Sequence, residues 1–366
     1  MNNILSLYYF ILGKALLGKE CRLDTPPPIA PEQWDTLFQI AAVQHTAALI
    51  SNTLQELPPQ MQPPNRNKFL AEQLLCQNAS ERHNKVLQSL LHTANKGGFK
   101  IMVIKGVTLS RHYPTPSLRY SSDIDFFLVG DEEAFLQIIQ RELGATHINS
   151  QAYHHTTFKI GGTTLECHHD FLGTWSYRKM DELMVGMIKD ADDSHKFRGE
   201  SILLPSPELG ALFLLSHAHK SSCARQVINT RGLCDWVATL KECRDTIDWT
   251  VVRKNLAENH LEGFLDVYNA IAIKYMGMPQ EWVSKLEPRG AEYLANTAML
   301  SAMPRPKGSR FRQYATKHSK SLFFATYLTV TGLVKHYRFT RRFDKSQSFT
   351  NYMTTNIAHR VKKVIS

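Results

Sequence analysis

The stretch IKGVTLSRHYPTPSLRYSSDIDFFLVG, residues 104–130, places two aspartates two positions apart at the start of an apolar run. Side chains alternate between the two faces of a strand, so Asp123 and Asp125 should point to one side and Ile124 to the other. Two carboxylates at that spacing repel each other, so a positive charge should hold them. A D-x-D pair alone also fits an exposed strand end whose acids are solvated. Other parts of the chain are needed to distinguish a functional acid pair from such a strand end.

The segments around this stretch predict a small sheet. The predicted elements are a strand in FKIMVIKG (99–106), a strand in DIDFFLV (123–129), a helix in DEEAFLQIIQREL (131–143) and two strands in HTTFKIGGTTLECHHDF (155–171). Gly161-Gly162 between the last two strands is a common hairpin turn. These elements indicate a compact α/β unit within residues 98–204.

Helical patterns flank this unit on both sides. Apolar residues recur every three to four positions before Gly97-Gly98, which should stop the helix. Ser206 is a predicted N-cap and Pro207 a first-turn proline, which opens a second helical segment. The expected division is an N-terminal helical region (1–97), the α/β core (98–204), a helical domain (205–303) and a basic tail (304–366). The predicted fold class is therefore α+β, a small sheet embedded between helical segments.

A third carboxylate strengthens the interpretation of the aspartates. In TTLECHHD (163–170), Glu166, His168 and Asp170 should share one face of a strand. If Glu166 meets Asp123 and Asp125, the three oxygen ligands suit two divalent cations, with Mg²⁺ preferred. Magnesium neutralises phosphate charge and aligns an in-line attack at phosphorus.

Two positions before the aspartates suit phosphate. Lys105-Gly106 lies where the first strand turns into a helix, and glycine lets backbone N–H groups approach an anion there. Arg119 could hold a second phosphate through a bidentate contact. Triphosphate recognition by Lys105 and Arg119 is therefore predicted.

The motif IKG…LRYSSDIDFFLV…LECHHD resembles a bacterial nucleotidyltransferase-like family of the DNA polymerase beta-type nucleotidyltransferase superfamily. That family is marked by K-G, R-x-x-S-D-I-D and D/E-x-H. The matching positions are Lys105, Gly106, Arg119, Ser122, Asp123, Asp125, Glu166 and His168. The helical segment SHAHKSSCARQVINTRGLCDW is similar to the family's H-x-x-K…L-x-D segment at His217, Lys220 and Asp235. The resemblance covers residues 70–245.

The resemblance implies a polymerase-beta-like sheet and a Mg²⁺-dependent transfer of NMP from an NTP, with release of pyrophosphate. Asp123, Asp125 and Glu166 are the implied catalytic residues and ligands of two Mg²⁺ ions, and ATP is the expected nucleotide. The residues expected to bind the nucleotide are Lys105, Gly106, Arg119, Ser122, His168, His217 and Lys220. The acceptor is expected to be a hydroxyl of a sugar, glycan, peptide or protein.

The sequence departs from the superfamily pattern at the turn. Gly106 is followed by Val107 and Thr108 rather than by serine, and the spacing from Gly106 to Asp123 is longer than usual. His168 could orient a carboxylate or the acceptor hydroxyl, or be a core histidine. The pairs His154-His155 and His168-His169 do not predict a dedicated zinc site, because neighbours on a strand point to opposite faces.

Two other functions stay open at this point. One is a non-catalytic nucleotide-binding protein that retains the fold, and the other is a nucleic-acid-modifying nucleotidyltransferase. All three acids are present, which favours an enzyme. The tail lacks basic and aromatic residues interleaved on one face, which disfavours nucleic acid. No nucleophile elbow and no C-x-x-C pair occurs, so a serine hydrolase and a zinc ribbon are not indicated.

Charge is concentrated at the C-terminal end. The chain has a formal net charge of +10, and residues 305–366 contain fourteen Lys or Arg against the single acid Asp344. The apolar segment SLFFATYLTVTGLV (321–334) lies among these basic residues. It fits either an interfacial helix on anionic lipid or an ordinary core helix with solvated basic ends.

The remaining features predict a cytoplasmic location. The six cysteines form no clusters and should be reduced and mostly buried. No apolar run is long enough to span a bilayer. MNNILSLYYFILGKALLGK lacks the basic start and cleavage site of a signal peptide and is predicted to be an amphipathic helix. Peripheral contact with the inner membrane face would depend on the basic tail.

Overall fold

The computed structural model describes residues 2–149, 155–173, 175–283, 290–303, 322–346, 348–354 and 356, without the side chains of 147–149, 175 and 322–329. The strands are β1 (Lys100–Val103), β2 (Asp123–Val129), β3 (Thr146–Asn149), β4 (His155–Ile160), β5 (Thr163–His168), β6 (Asp192–Phe197) and β7 (Glu200–Leu204). They form one sheet in the order β3-β4-β5-β2-β1-β7-β6. The pairs β2–β5 and β1–β7 are parallel, and the other neighbours are antiparallel.

Helices surround the sheet. They are α1 (Asn3–Leu17), α2 (Gln33–Val43), α3 (Ala47–Thr53), α4 (Arg66–Lys96), α5 (Val107–Ser110), α6 (Glu132–Leu143), α7 (Arg178–Gly186), α8 (Pro207–Arg225), α9 (Thr230–Cys243), α10 (Trp249–Glu258), α11 (Glu262–Met276), α12 (Ala291–Asn296) and α13 (Leu322–Thr340). The Ser206 side chain accepts a hydrogen bond from Leu209 N, which confirms the predicted N-cap of α8. The predicted α+β class is confirmed.

The β4–β5 hairpin follows from its turn. Gly161 and Gly162 have φ values of 54° and 78°. A two-residue type I′ turn requires positive φ at both central positions, which glycine adopts without steric cost. The turn pairs Ile160 with Thr163, and the register continues to His155 opposite His168. The predicted hairpin is confirmed.

Three strands were not expected from the sequence. The first five residues of β6 are exposed, so this outer strand lacks the alternation of a half-buried strand. The outer strand β3 contains the polar sequence THIN. The third, β7, buries Ile202, Leu203 and Leu204 and pairs with β1 through Met102. The sheet is therefore wider than the predicted unit.

The two faces of the sheet pack against different helices. Phe126 of β2 lies in one core cluster with Leu90 of α4 and Phe135 of α6. Phe127, on the opposite face, lies in a second cluster with Phe213 of α8. Since side chains alternate along β2, the aspartates at its start share the face of Phe127. Their side chains therefore lie on the face of the sheet that packs against α8, not on the face that packs against α4 and α6.

The helical segments before and after the sheet share one core. Helix α1 packs against α9 and α11 and is buried on nearly all sides, so the predicted amphipathic pattern is wrong. Gly13 lies so close to α11 that an added Cβ would stand 1.9 Å from the carbonyl oxygen of Met276. The Tyr9 hydroxyl donates to the Ala295 carbonyl oxygen at 2.9 Å. These contacts hold α1 against α11 and α12.

The second half of α13 is a core helix. Phe339 is 1 % exposed and belongs to the same core cluster as α8. The buried His219 of α8 joins Tyr177 and Thr340, with its ring nitrogens 2.5 and 3.3 Å from their hydroxyl oxygens. Residues 304–321, which hold much of the predicted basic tail, lie outside the described residues. None of the described helices combines the length and the apolar character needed to cross a membrane.

The cysteines are as expected. All six are free, and only Cys243 is not fully buried. No disulfide therefore constrains the fold.

His336 of α13 provides a test of this packing. Burial lowers the pKa of His336 to about 4, whereas an unfolded histidine has a pKa near 6.5. Between these values only the unfolded chain binds the proton, so stability decreases as pH falls through this window. We expect the free energy of unfolding of the wild type, relative to His336→Phe, to decrease by about 2 kcal/mol from pH 7 to pH 5.

Urea unfolding at the two pH values measures this difference. Phenylalanine keeps the ring that packs against Tyr177 and Tyr352 but binds no proton. A difference that does not change with pH would contradict the buried neutral histidine.

Candidate active site

Three carboxylates meet on the face of the sheet that looks toward α8. The parallel register of β2 and β5 places Asp125 directly beside Glu166, and Asp123 beside Thr164. Carboxylate oxygens of Asp123, Asp125 and Glu166 all lie within 4.8 Å of one another. We call these three residues the acid triad. The structure thus brings together the three acids selected from the sequence.

A lysine and a histidine hold the central acid. Lys105 follows β1, and its Nζ lies 3.0 Å from Asp125 Oδ1. His168 Nε2 lies 2.9 Å from the same oxygen and 3.5 Å from Glu166 Oε2. His168 Nδ1 donates to the carbonyl oxygen of Asp170, just beyond β5. Asp125 therefore has the positive neighbours that paired acids require.

The pKa values follow from these contacts. Burial raises the pKa of Asp123 to about 6, and the negative charge of Asp125 adds to this effect. Burial acts in the same direction on Asp125, but Lys105 and His168 outweigh it and hold the pKa of Asp125 below its usual range. Burial opposes protonation of His168, yet hydrogen bonds to Asp125 and Glu166 raise its pKa to about 9. The hydrogen bond from His168 lowers the pKa of Glu166.

The acid triad fits a divalent cation. Asp125 is 1 % exposed, and its Oδ2 atom is buried with no hydrogen-bond partner in the part of the chain that the structure describes. A buried carboxylate oxygen without a partner is costly, and a cation removes that cost. The donors are hard oxygens, the type that Mg²⁺ prefers. Asp123, Asp125 and Glu166 could therefore hold Mg²⁺.

The turn after β1 lies beside the acids. Gly106 has a φ of 63°, a left-handed conformation that favours glycine, and it leads into α5. An added Cβ at Gly106 would stand 3.9 Å from Ser121 Oγ. The Ser121 hydroxyl donates to the Asp123 carbonyl oxygen at 2.9 Å, and the Ser122 side chain acts to lower the pKa of Asp123. Ser121 thus brings a hydroxyl to the turn, although the sequence motif has no serine there.

Helix α8 contributes positive and polar groups. The Phe213 side chain of α8 packs against Lys105, whose Nζ lies 5.7 Å from the centre of the Phe213 ring. The Lys220 ammonium donates to the carbonyl oxygen of Leu172. Burial lowers the pKa of Lys220, and the nearby charge of Lys105 lowers it further.

His217 lies among three positive charges. Burial holds its pKa well below the usual range, and the charges of Lys105, Lys220 and Arg231 act in the same direction. We call Lys105, His217, Lys220 and Arg231 the basic wall. Lys105, Lys220 and Arg231 give this wall its positive charge, whereas His217 is neutral at pH 7. Positive groups beside clustered acids can hold the phosphates of a nucleotide.

Arg119 is placed differently from the prediction. Its Nε and Nη2 atoms donate to Asp235 at 2.6 and 2.9 Å, and both side chains are about 5 % exposed or less. Tyr113 donates to the same carboxylate at 2.7 Å. The guanidinium is therefore bound in an intramolecular ion pair between the approach to β2 and α9, which corrects the expected bidentate phosphate contact. The partner lies 116 positions away, so local sequence could not reveal it.

Three residues near the site were not selected from the sequence. Arg231 belongs to the basic wall, and Phe213 supports Lys105. His155 lies opposite His168, and its Nε2 is 3.7 Å from Glu166 Oε1. The register set by Gly161-Gly162 would have placed His155 beside His168. The other two depend on how α8 and α9 pack, for which no sequence signal was present.

Comparison with known families agrees with this geometry. A site that combines three carboxylates on neighbouring strands with a basic wall suits the handling of a metal-bound nucleotide. The model of a family described as uncharacterised nucleotidyltransferase matches residues 30–277, and the chain belongs to this family. The protein is thus a nucleotidyltransferase, and the matched range includes every residue of the acid triad and of the basic wall. No curated protein and no solved structure matches the chain significantly.

Proposed function

We propose that this nucleotidyltransferase uses Mg²⁺ to transfer an NMP from an NTP to an acceptor hydroxyl, and that it is a relative of the polymerase-beta superfamily. The acid triad is the observation that carries the proposal. Asp125 and Glu166 stand side by side in register, and the Asp125 Oδ2 atom is buried without a hydrogen bond from the described residues. ATP is the proposed nucleotide, and the proposed acceptor is a sugar, glycan, peptide or protein.

The residues have distinct proposed roles. Asp123, Asp125 and Glu166 would hold two Mg²⁺ ions, which when bound neutralise phosphate charge and polarise the reacting oxygens. Lys105, Lys220 and the rest of the basic wall would bind the triphosphate. Glu166 is ionised at neutral pH because its pKa is lowered, so it can accept a hydrogen bond from the acceptor hydroxyl and help remove its proton.

The bond changes are those of nucleotidyl transfer. The acceptor oxygen forms a bond to the α-phosphorus, and the bond from that phosphorus to the β-bridging oxygen breaks. Pyrophosphate would leave toward the basic wall, and the acceptor proton would pass to the Glu166 carboxylate. His168 keeps Asp125 and Glu166 in place through its two contacts at Nε2.

The experiment that tests this function uses labelled nucleotides. The full chain is incubated with Mg²⁺, cell extract and each NTP, labelled on the α- or the γ-phosphate in parallel reactions. We expect a product that retains the α label and no γ label. A product that carries only the γ label would indicate phosphoryl transfer instead and contradict the proposal.

Nucleotide affinity tests the basic wall. Lys220→Met removes an ammonium group without removing the partner of Asp125, so it is cleaner than a change at Lys105. We expect binding of a non-hydrolysable NTP with Mg²⁺ to weaken by about 1–3 kcal/mol, the range for loss of a charge-assisted hydrogen bond. Calorimetry measures this change. The control is Lys100→Met, at the other end of β1, where the lysine pairs with the exposed Asp193.

Equal affinities in the Lys220→Met variant, the Lys100→Met variant and the wild type would place the triphosphate elsewhere.

We also propose a cytoplasmic location with peripheral contact to anionic lipid through the basic tail. That contact rests on the charge of residues 305–366 alone.

A further inference from the structure

A second group of side chains that could hold a metal ion adjoins the acid triad. His155, Glu166 and His168 each offer a ligand atom, and these atoms lie within 4.8 Å of one another. Glu166 belongs to both groups. We call His155, Glu166 and His168 the histidine–glutamate group.

The hairpin brings the two histidines together. His155 on β4 and His168 on β5 are directly paired, and residues directly opposite each other in an antiparallel pair share one face. Their ring centres are 5.3 Å apart. Glu166 is two residues from His168 on the same strand and therefore shares that face. Adjacent histidines in the sequence point apart, but this cross-strand pair points to the same side.

The distances suit a common ion. Nε2 of His155 lies 3.7 Å from Glu166 Oε1, and Nε2 of His168 lies 3.5 Å from Glu166 Oε2. Ligand atoms that surround a zinc ion tetrahedrally at 2.0–2.2 Å are about 3.4 Å from one another. Small side-chain rotations would therefore bring all three donors to bonding distance, and the ion would replace the proton through which His168 Nε2 contacts Asp125 Oδ1 in the metal-free chain. The Glu166 side chain is 23 % exposed, so an ion can reach the group from solvent.

The donor types select the class of metal. Imidazole suits zinc and other first-row transition metals, whereas Mg²⁺ prefers an all-oxygen environment. Two imidazoles and one carboxylate match sites that leave further coordination positions open. A nucleotide phosphate or the acceptor oxygen could then complete the coordination.

We propose that His155, Glu166 and His168 bind a divalent transition-metal ion of the zinc type, with Glu166 shared between this ion and the acid triad. The proposal deepens the function proposed above, because it assigns a second kind of metal to the same site. It stands on the geometry of the hairpin, however, and ion binding is measurable without nucleotide or acceptor. Its failure and the failure of nucleotidyl transfer are therefore distinguishable.

Direct ion binding tests the proposal. The full chain, without a histidine tag and stripped with a chelator, is dialysed against Zn²⁺ and titrated with Co²⁺, whose absorption spectrum reports nitrogen ligands. We expect one ion per chain at the tightest site. In His155→Ala and His168→Ala the affinity for the ion should fall at least about tenfold. Loss of a residue that only supports a metal ligand already lowers metal affinity by about 10–100-fold, and these two histidines are proposed as ligands themselves.

Two control variants make the result specific. His169→Ala removes the neighbouring histidine, which is exposed and lies 2.8 Å from Glu132, and should leave the affinity unchanged. Asp123→Asn removes a residue of the acid triad outside the histidine–glutamate group and should retain Zn²⁺ binding while losing nucleotidyl transfer. If His155→Ala does not fold by circular dichroism, His155→Gln, which preserves side-chain bulk, replaces it.

Three results would overturn the proposal. The first is the absence of a stoichiometric Zn²⁺ site in the wild type. The second is an equal loss of affinity in His155→Ala and His169→Ala, which would indicate nonspecific binding to surface histidines. The third is a loss in Asp123→Asn with full binding in His155→Ala, which would place the ion in the acid triad alone.

Discussion

Nucleotidyl transfer by Asp125→Asn should fall more than about 100-fold, the loss typical when one group that stabilises developing charge is removed. Asp125 is the central acid, since it stands beside Glu166 in register and accepts from both Lys105 and His168. Asparagine has nearly the same shape and keeps one oxygen, so the fold should persist. It removes the negative charge that would hold a cation. Transfer of the α label under saturating NTP and Mg²⁺ measures the effect.

The matched control is Asp193→Asn, an exposed aspartate that pairs with Lys100 away from the acid triad. Its activity should equal that of the wild type. Circular dichroism and melting curves establish that both variants are folded. Activity in Asp125→Asn above a few per cent of the wild type would contradict a metal site built on this residue.

Arg119→Met should lower the free energy of unfolding by about 3–5 kcal/mol, because it leaves the buried Asp235 carboxylate without its cation. The two side chains are 4 % and 5 % exposed, so solvent cannot replace the lost charge. Tyr113 still donates to Asp235, but one neutral hydroxyl does not compensate a buried negative charge. Urea unfolding at pH 7 measures the change.

A double-mutant cycle separates the ion pair from loss of packing. In Arg119→Met combined with Asp235→Asn the uncompensated charge is gone and Tyr113 keeps an acceptor, so this variant should be more stable than Arg119→Met alone. Arg22→Met is the control for loss of an arginine. Arg22 pairs with Glu281 at the surface, where both side chains are more than half exposed, and its removal should have little effect. Strictly additive changes at 119 and 235 would contradict a coupled pair.

The sequence predicted those parts of the fold that carry strong local signals. The helix α6, the hairpin at Gly161-Gly162 and the start of α8 at Ser206 all have patterns within a few residues, and the structure confirms them. The strand β6 was missed because DDSHKF exposes nearly all of its side chains. A strand that buries little is held by pairing with its neighbour, which local periodicity does not record.

The candidate site likewise contains residues that local sequence predicts and residues that it does not. The period of two along a strand placed Asp123 and Asp125 on one face, and the structure places Glu166, also selected from the sequence, beside them. The phosphate contact expected of Arg119 failed because its partner Asp235 comes from a distant helix. Arg231 was missed for the same reason. Tertiary packing, rather than residue type, decides which positive groups lie near the site.

The length of the turn between β4 and β5 determines which side chains of these two strands lie opposite each other. Because two glycines close the hairpin, His155 lies opposite His168. One residue more or less in the turn would shift the register and turn His155 to the opposite face, while Glu166 would keep its place beside Asp125 on the other neighbouring strand. Relatives of this chain that contain both histidines but have a turn one residue longer or shorter would therefore lack the histidine–glutamate group and still possess the acid triad. For such proteins, the spacing between 155 and 168 is as much a part of the site as the residues themselves.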